Sequence, residues 1–377
     1  MNFFNRNFIA SVYVVQICIL YLSTFQLTAA IFPCTNDFVN LVCKQAPQWM
    51  DAQIEQDFSY FREGISQENI DDTYTKVARQ LGQSNTLRIT VKNKQLMTQG
   101  TLNDRAEAIL SAVKYLIQNV GLPDVDCIAS LHDGCHYKNT LTAPVLAFAK
   151  HVDANNCVLI PDFEGLQGYE ERESLHKDFL QSYPWDQKTK KVFWRGVTTG
   201  GMNELDTWFK LPRALLVLES FNHPNVIDAK FTQVCQCSPS AFQSELEEIL
   251  ESKNLLGANE PISKHLEYRY LVDIDGNSCT YSRCYWILLS NSMLFKPDSK
   301  NIQWYYGGLI PYVNYLPLKA DLSDIVEKIE WAKERDAEAK TIAEQGAVFA
   351  ENNLSLEYIY LYLYKVLVKH ATLQVKK

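Results

Sequence analysis

The chain has 377 residues, 47% of them hydrophobic and 21% charged, a composition that excludes a disordered protein and suits two folded cores rather than one. Its 44 acidic and 36 basic side chains leave a formal net charge of −8, and no basic tract stands out, which argues against nucleic acid as a partner. Aromatic content is 12%, with 20 Tyr and 7 Trp, rings that carbohydrate sites and cores use alike.

Residues 1–30 read as an export leader. Arg6 is the lone charge ahead of an apolar run from Phe8 to Leu22, and Thr28-Ala29-Ala30 offers small residues for cleavage. That run is short for a membrane-spanning helix, which needs about 20 residues. Cleavage is therefore expected rather than retention as an anchor, with no stable span left afterwards. Of ten cysteines, Cys18 lies in the leader, and the other nine imply disulfides and at least one free thiol in an exported chain. The close pairs are Cys34/Cys43, Cys127/Cys135, Cys235/Cys237 and Cys279/Cys284, but spacing does not settle connectivity. Zinc at Cys235-Gln236-Cys237 would need a second ligand pair that the sequence does not supply. Asn353-Leu354-Ser355 is a glycosylation sequon.

Residues 31 to about 100 are polar and mixed, with helical stretches. Leu102 to Asn119 predicts an amphipathic helix, because Ile109, Leu110, Val113, Leu116 and Ile117 recur at helical spacing. Strands follow at 127–131, which ends in His132-Asp133-Gly134, at 145–149 and at 157–160. This rhythm predicts an α/β sheet with buried strands. Residues 162–190 read as a loop-rich link containing Pro184-Trp185. A second α/β unit begins at Lys191. It has helices at 211–219, 244–252 and 282–289 and strands at 268–274 and 293–296, then helices at 322–332, 336–351 and 356–371.

The stretch Val192-Phe193-Trp194-Arg195-Gly196-Val197-Thr198-Thr199-Gly200-Gly201 delivers an arginine and a hydrogen-bonding glycine loop at a strand end. In open α/β sheets ligands bind at that edge, and the arginine fork fits phosphate oxygens. Read alone, the motif fits equally a turn with Arg195 in a structural ion pair. A second strand end, Asp275-Gly276-Asn277-Ser278, runs into Tyr281-Ser282-Arg283 and opens a helix whose free N–H groups favour an anion. Together the two strand ends form a candidate diphosphate cradle, while Asn277 or Ser278 would serve as an ordinary helix cap. Asp124-Val125-Asp126 and Asp273-Ile274-Asp275 match the D-x-D pattern of metal-dependent sugar transferases, a short and unspecific match. No G-x-S-x-G, P-loop or G-x-G-x-x-G fingerprint is present.

In combination, Phe193–Gly201, Tyr268–Asn277 and Leu288–Lys296 resemble glycosyltransferase family 90, that of Rumi-like protein O-glucosyltransferases and capsule-associated xylosyltransferases. The resemblance extends through Pro161-Asp162-Phe163, Gln303-Trp304, Leu309–Pro317 and Ile342–Gly346, and covers roughly residues 120–370. It implies an α/β fold of GT-B architecture: two Rossmann-like domains facing across a cleft, with the C-terminal helix crossing back. The corresponding division is a leader (1–30), an acceptor-side domain (31–185), a nucleotide-sugar domain (186–355) and a final helix (356–377). It further implies an inverting transfer of glucose or xylose from a UDP-sugar to a hydroxyl of a protein or glycan, with no metal or other cofactor. Asp133 matches the catalytic aspartate that takes the acceptor proton. Donor contacts are expected from Asp162, Arg195, Thr198, Thr199, Arg213, Gly276, Ser278, Cys279, Thr280, Tyr281, Ser282 and Arg283. Val197 stands where many members carry serine, and the end Val375-Lys376-Lys377 is no endoplasmic-reticulum retention signal. The expected location is the lumen of the endoplasmic reticulum or Golgi, or outside the cell. Two alternatives remain: a sugar-binding relative without activity, and a metal-dependent transferase using Asp273 and Asp275.

Overall fold

A computed structural model describes residues 42, 46–168 and 182–375. The expected leader, Cys34, Cys43 and residues 169–181 of the expected link lie outside them. The first half holds α1 (Gln48–Asp57), α2 (Gln67–Leu81), β1 (Thr86–Lys92), β2 (Gln95–Gly100), α3 (Asp104–Asn119), β3 (Val125–Ser130), β4 (Val145–Ala147), β5 (Lys150–His151), β6 (Cys157–Leu159) and α4 (Phe163–Leu166). The second holds β7 (Thr189–Val197), α5 (Pro212–Asn222), β8 (Ile227–Gln233), α6 (Phe242–Ser252), α7 (Ile262–His265), β9 (Tyr268–Val272), α8 (Ser282–Leu289), β10 (Met293–Pro297), β11 (Asn301–Ile302) and β12 (Leu316–Leu318), then α9 (Ile325–Glu334), α10 (Asp336–Asn353) and α11 (Leu356–Leu373).

Two five-stranded sheets result, in the orders β2-β1-β3-β4-β6 and β12-β10-β9-β7-β8. All strand pairs of the second sheet are parallel. The chain leaves β7 towards β8, then crosses back to lay β9 on the other side of β7. Connections diverge at such a reversal and open a crevice at the carboxyl ends of the strands. The loops after β7 and β9 sit there, and they are the two glycine-bearing strand ends of the sequence. Helix α11 returns to pack on β3 and α4 of the first unit. Beside it Ile65 N donates to Leu373 O and Ile65 O accepts from Val375 N. This is the expected two-unit GT-B arrangement with a returning helix.

Alternation along β7 explains its two faces. Val192 and Trp194 enter one core with α5, α6 and α9 residues, whereas Phe193 joins the core shared by α8, α11 and the first sheet. Local signals start the helices as usual: the Asn103 side chain accepts from Ala106 N at the start of α3, and Pro212 occupies the first turn of α5.

Two expectations need correction. Part of the segment read as polar and mixed with helical stretches is an antiparallel hairpin, β1–β2, for which no strand was expected, and its inner strand also pairs antiparallel with β3. Neither Asn277 nor Ser278 caps α8: its N-cap is Tyr281, with no side-chain cap, at φ +27°. Among the described residues a disulfide joins Cys135 to Cys157, while Cys127, Cys235, Cys237, Cys279 and Cys284 are free thiols. The sequon residue Asn353 donates to Phe349 O at 2.9 Å and accepts from Trp49 Nε1 at 3.4 Å. Among the described residues no helix is long and apolar enough to cross a membrane.

Candidate active site

The loop after β7 turns through Gly200 and Gly201, at φ +122° and +148°, conformations that glycine adopts without strain. Gly196 has a different reason to be glycine. The Trp194 indole folds over it, and a Cβ there would meet the ring at 2.5 Å. That ring is the meeting point of two arginines: Arg213 lies 5.7 Å and Arg283 5.9 Å from its centroid. Arg213, from α5, donates to the carbonyls of Asp275 (2.9 Å) and Val197 (3.0 Å) and to Thr199 Oγ1 (2.7 Å). It thereby ties both strand-end loops together. Arg283, from α8, donates to Arg195 O at 2.8 Å. Neither arginine has a carboxylate within ion-pair distance among the described residues. Burial lowers the pKa of both, and Arg283 helps bring Arg213 down to about 10. Two partly buried cations held only by carbonyls, a hydroxyl and a ring are costly unless an anion joins them.

Arg195 contributes otherwise. Its guanidinium forms an ion pair with Asp228 at 2.8 Å, donates to the carbonyls of Trp194 and Asp228, and lies on the Phe193 ring. The structural ion pair that its motif left open is therefore present, and its link to Arg283 is its backbone carbonyl. Thr198 donates to Cys235 O and accepts from Cys235 N, both at 2.9 Å, which pins the loop to the strand end after β8.

A buried ion pair frames the loop after β9. Lys296 Nζ donates to Asp273 Oδ2 at 2.7 Å, and the Thr280 hydroxyl donates to Asp273 Oδ1. Burial opposes ionisation of Asp273, but Lys296 prevails and holds its pKa below the usual range. Asp275 accepts from Ser299 Oγ (2.5 Å) and Asn301 Nδ2 (3.0 Å), and its burial outweighs these partners and raises its pKa. Both D-x-D carboxylates are thus committed within the protein. Asp126 of the other D-x-D pair is likewise held, by Arg88, Gln67 and Thr90. Among the described residues no cluster of three or more His, Cys, Asp or Glu side chains is placed to hold a metal ion. Gly276 lies under the Arg213 tip, and a Cβ there would come to 2.8 Å from both Arg213 Nη2 and Thr199 Oγ1. Ser278 Oγ is buried with no hydrogen-bond partner, and the Cys279 thiol is buried with a raised pKa.

The first unit meets these loops directly. Asp133 follows β3, and Asn277 Nδ2 approaches its Oδ2 at 3.4 Å. Tyr281, strained at φ +27°, sends its hydroxyl 2.6 Å from Asp133 O. Glu164 Oε2 accepts from Ser282 N at 3.0 Å, doing at the α8 N-terminus what a cap would do. Asp162 is fully buried and caps α4 by accepting from Gly165 N. Arg105, in the first turn of α3, donates to Leu131 O and to Asp133 Oδ1, both at 2.7 Å, and rests on the Phe163 ring. Partial burial raises the Asp133 pKa, but Arg105, with help from Asn277 and His132, holds it below the ordinary carboxylate range. The group is therefore an oriented carboxylate at neutral pH, with Oδ2 turned towards the second unit.

Sequence reasoning missed Arg105, Glu164 and Lys296. Lys296 lay inside a motif already singled out. Arg105 and Glu164 carried no local signal, since their roles depend on partners brought up by other elements.

The family model for Glycosyl transferase family 90 matches residues 43–377. Among characterised relatives, protein O-glucosyltransferase 2 of Danio rerio is 29% identical over 344 residues, covering 86% of this chain and 63% of its own length. Protein O-glucosyltransferase 3 of Rattus norvegicus is 30% identical over 273 residues, covering 70% of this chain and 49% of its own. The chain thus spans about half to three fifths of these relatives' length. Anabaena HepE, solved with UDP and glucose, is 11% identical and covers 70% of this chain and 75% of its own, with a TM-score of 0.39. The match over nearly all of the described residues establishes that the chain belongs to glycosyl transferase family 90.

Proposed function

We propose that the chain is a UDP-sugar-dependent, inverting glucosyltransferase acting on a hydroxyl of a polypeptide in the secretory pathway, without a metal. One observation carries the reading. Arg213 and Arg283, without carboxylate partners among the described residues, converge on Trp194 at the crevice between β7 and β9, opposite an ionised Asp133. A diphosphate is the anion that such a pair of forks fits. Glucose and a polypeptide acceptor are favoured because the relatives are named protein O-glucosyltransferases.

In this mechanism the acceptor hydroxyl gives its proton to Asp133 Oδ2 as its oxygen attacks the anomeric carbon. The bond from that carbon to the β-phosphate oxygen breaks, and UDP leaves on the opposite face. A serine hydroxyl is a poor nucleophile at neutral pH, so a positioned base accelerates the step. Charge building on the β-phosphate meets Arg213, Arg283 and the unpartnered Ser278 hydroxyl. These fixed donors take the part that a divalent ion plays elsewhere, and Lys296, Ser299 and Asn301 already occupy Asp273 and Asp275.

The test is UDP release from UDP-glucose with and without chelator, in wild type and Asp133→Asn. Release that survives chelation and falls at least a hundredfold in the variant, with UDP binding retained, is the expected result. Loss on chelation with recovery in Mn²⁺ would overturn the metal-free reading. Full activity in Asp133→Asn would remove the base.

A further inference from the structure

Beside the crevice, the first unit carries a second concavity, of about 520 Å³, between the exposed face of α2 and the segment after the disulfide. Lys76 and Arg79 line it from α2, and His136, Tyr137, Lys138 and Leu141 from the opposite wall. The wall is rigid. The Cys135–Cys157 disulfide anchors its base, and Asn156 Oδ1 accepts from the backbone N–H groups of Thr140 (2.8 Å) and Leu141 (3.2 Å). Leu141 gives the concavity an apolar floor, backed by a buried cluster with Val77 and the disulfide, and Tyr137 packs against that cluster.

The rim is cationic in a protein whose net charge is −8. Lys76 pairs with Asp72 at 2.8 Å and Lys138 with Asp153 at 3.6 Å, both exposed contacts. Arg79 has no ion pair among the described residues. The Tyr137 hydroxyl is a buried polar atom without a hydrogen-bond partner. The concavity also lies close to the crevice. His136 Nε2 lies 3.3 Å from where a Cβ on Gly134 would stand, and Ser278 Oγ lies 3.0 Å from the same point. Gly134 directly follows Asp133.

We infer that this concavity is an acceptor subsite that holds a carboxylate-bearing segment of the polypeptide whose hydroxyl is presented to Asp133. The inference rests on the transferase reading above, because it places the acceptor on the Asp133 side. Three long cations around an apolar floor suit a segment with an Asp or Glu beside an apolar residue. Arg79 takes the carboxylate, and Lys76 and Lys138 exchange their exposed intramolecular partners for it at little cost.

The test uses the full chain and two fluorescein-labelled serine peptides of the same length, one bearing Asp and Glu around the serine and one bearing Asn and Gln there. Fluorescence polarisation should show the acidic peptide binding roughly three- to tenfold more tightly. That margin should vanish in 0.5 M salt, because the rim charges are exposed. Arg79→Glu/Lys138→Glu should lose the preference while hydrolysis of UDP-glucose stays at the wild-type rate. Equal binding of the two peptides by wild type, or a preference that survives in the double variant, overturns the inference. Absence of UDP-glucose hydrolysis in wild type counts against the transferase reading alone, since peptide selectivity is read by binding.

Discussion

Replacing Lys296 by methionine probes the internal frame of the donor loops. Lys296 Nζ sits 2.7 Å from Asp273 Oδ2, and the two side chains are 9% and 0% exposed. Without the lysine the carboxylate keeps Thr280 but loses its ion pair, within a core that water does not reach. Breaking one side of a buried pair costs about 3–5 kcal/mol, whereas replacing both sides with apolar groups is often neutral. Methionine keeps most of the lysine stem's volume, so packing loss is small beside this charge effect. For a unit of this size each kcal/mol moves the melting temperature by roughly 2–4 °C, so the unit should melt about 6–20 °C lower. Urea unfolding followed by tryptophan fluorescence reads the same loss, and Lys296→Met/Asp273→Leu should recover most of it. A single-variant loss below about 1 kcal/mol, the value of an exposed pair, would refute the reasoning. So would a double variant no more stable than the single one. The pH signs follow from the pair. Lowered in the fold, Asp273 stabilises above the ordinary carboxylate range, and that contribution disappears as pH falls through its folded value. Raised in the fold, Lys296 stabilises below the ordinary lysine range, and its contribution disappears only in strong alkali.

Arg105→Gln removes the cation that lowers the Asp133 pKa, so the acid limb of kcat/KM should move to higher pH, with kcat falling on the order of tenfold from lost orientation; an unmoved limb would mean that Arg105 does not set the ionisation of the base. Gly276→Ala places a methyl group 2.8 Å from Arg213 Nη2 and Thr199 Oγ1, and titration calorimetry should show UDP affinity reduced about tenfold with little change in melting temperature. Cys135→Ala/Cys157→Ala opens a cross-link across a sequence separation of 22, and denaturant unfolding should show a loss of about 3 kcal/mol. UDP affinity should persist in that variant, because the loops after β7 and β9 lie on the other unit.

Sequence signals were strongest where residues act on near neighbours. The apolar stretch ending at Trp194, the helical spacing from Ile109 to Ile117 and the start of α8 at Ser282 all appear close to their expected bounds. The hairpin was legible in part: Leu87, Ile89 and Val91 are buried while Arg88 and Thr90 alternate with them, as a half-buried strand requires. Its partner Gln95–Gly100 is an edge strand with almost no burial, so no apolar alternation marks it.

By itself the sequence determined the strand ends, the glycine turns, the helix that opens at Ser282 and the family to which their combination points. Those features follow from steric and periodic rules that act over a few residues. Only the tertiary structure decided which charges face each other. Arg195 finds Asp228, Lys296 finds Asp273 and Arg105 finds Asp133, partners 23 to 33 residues apart that separate strands and helices bring together. Arg213 and Arg283 converge on one indole and meet no carboxylate among the described residues, an outcome set by the order of strands in the sheet. Charge pairing decides whether a cation is structural or left for a ligand, and pairing is a property of the fold.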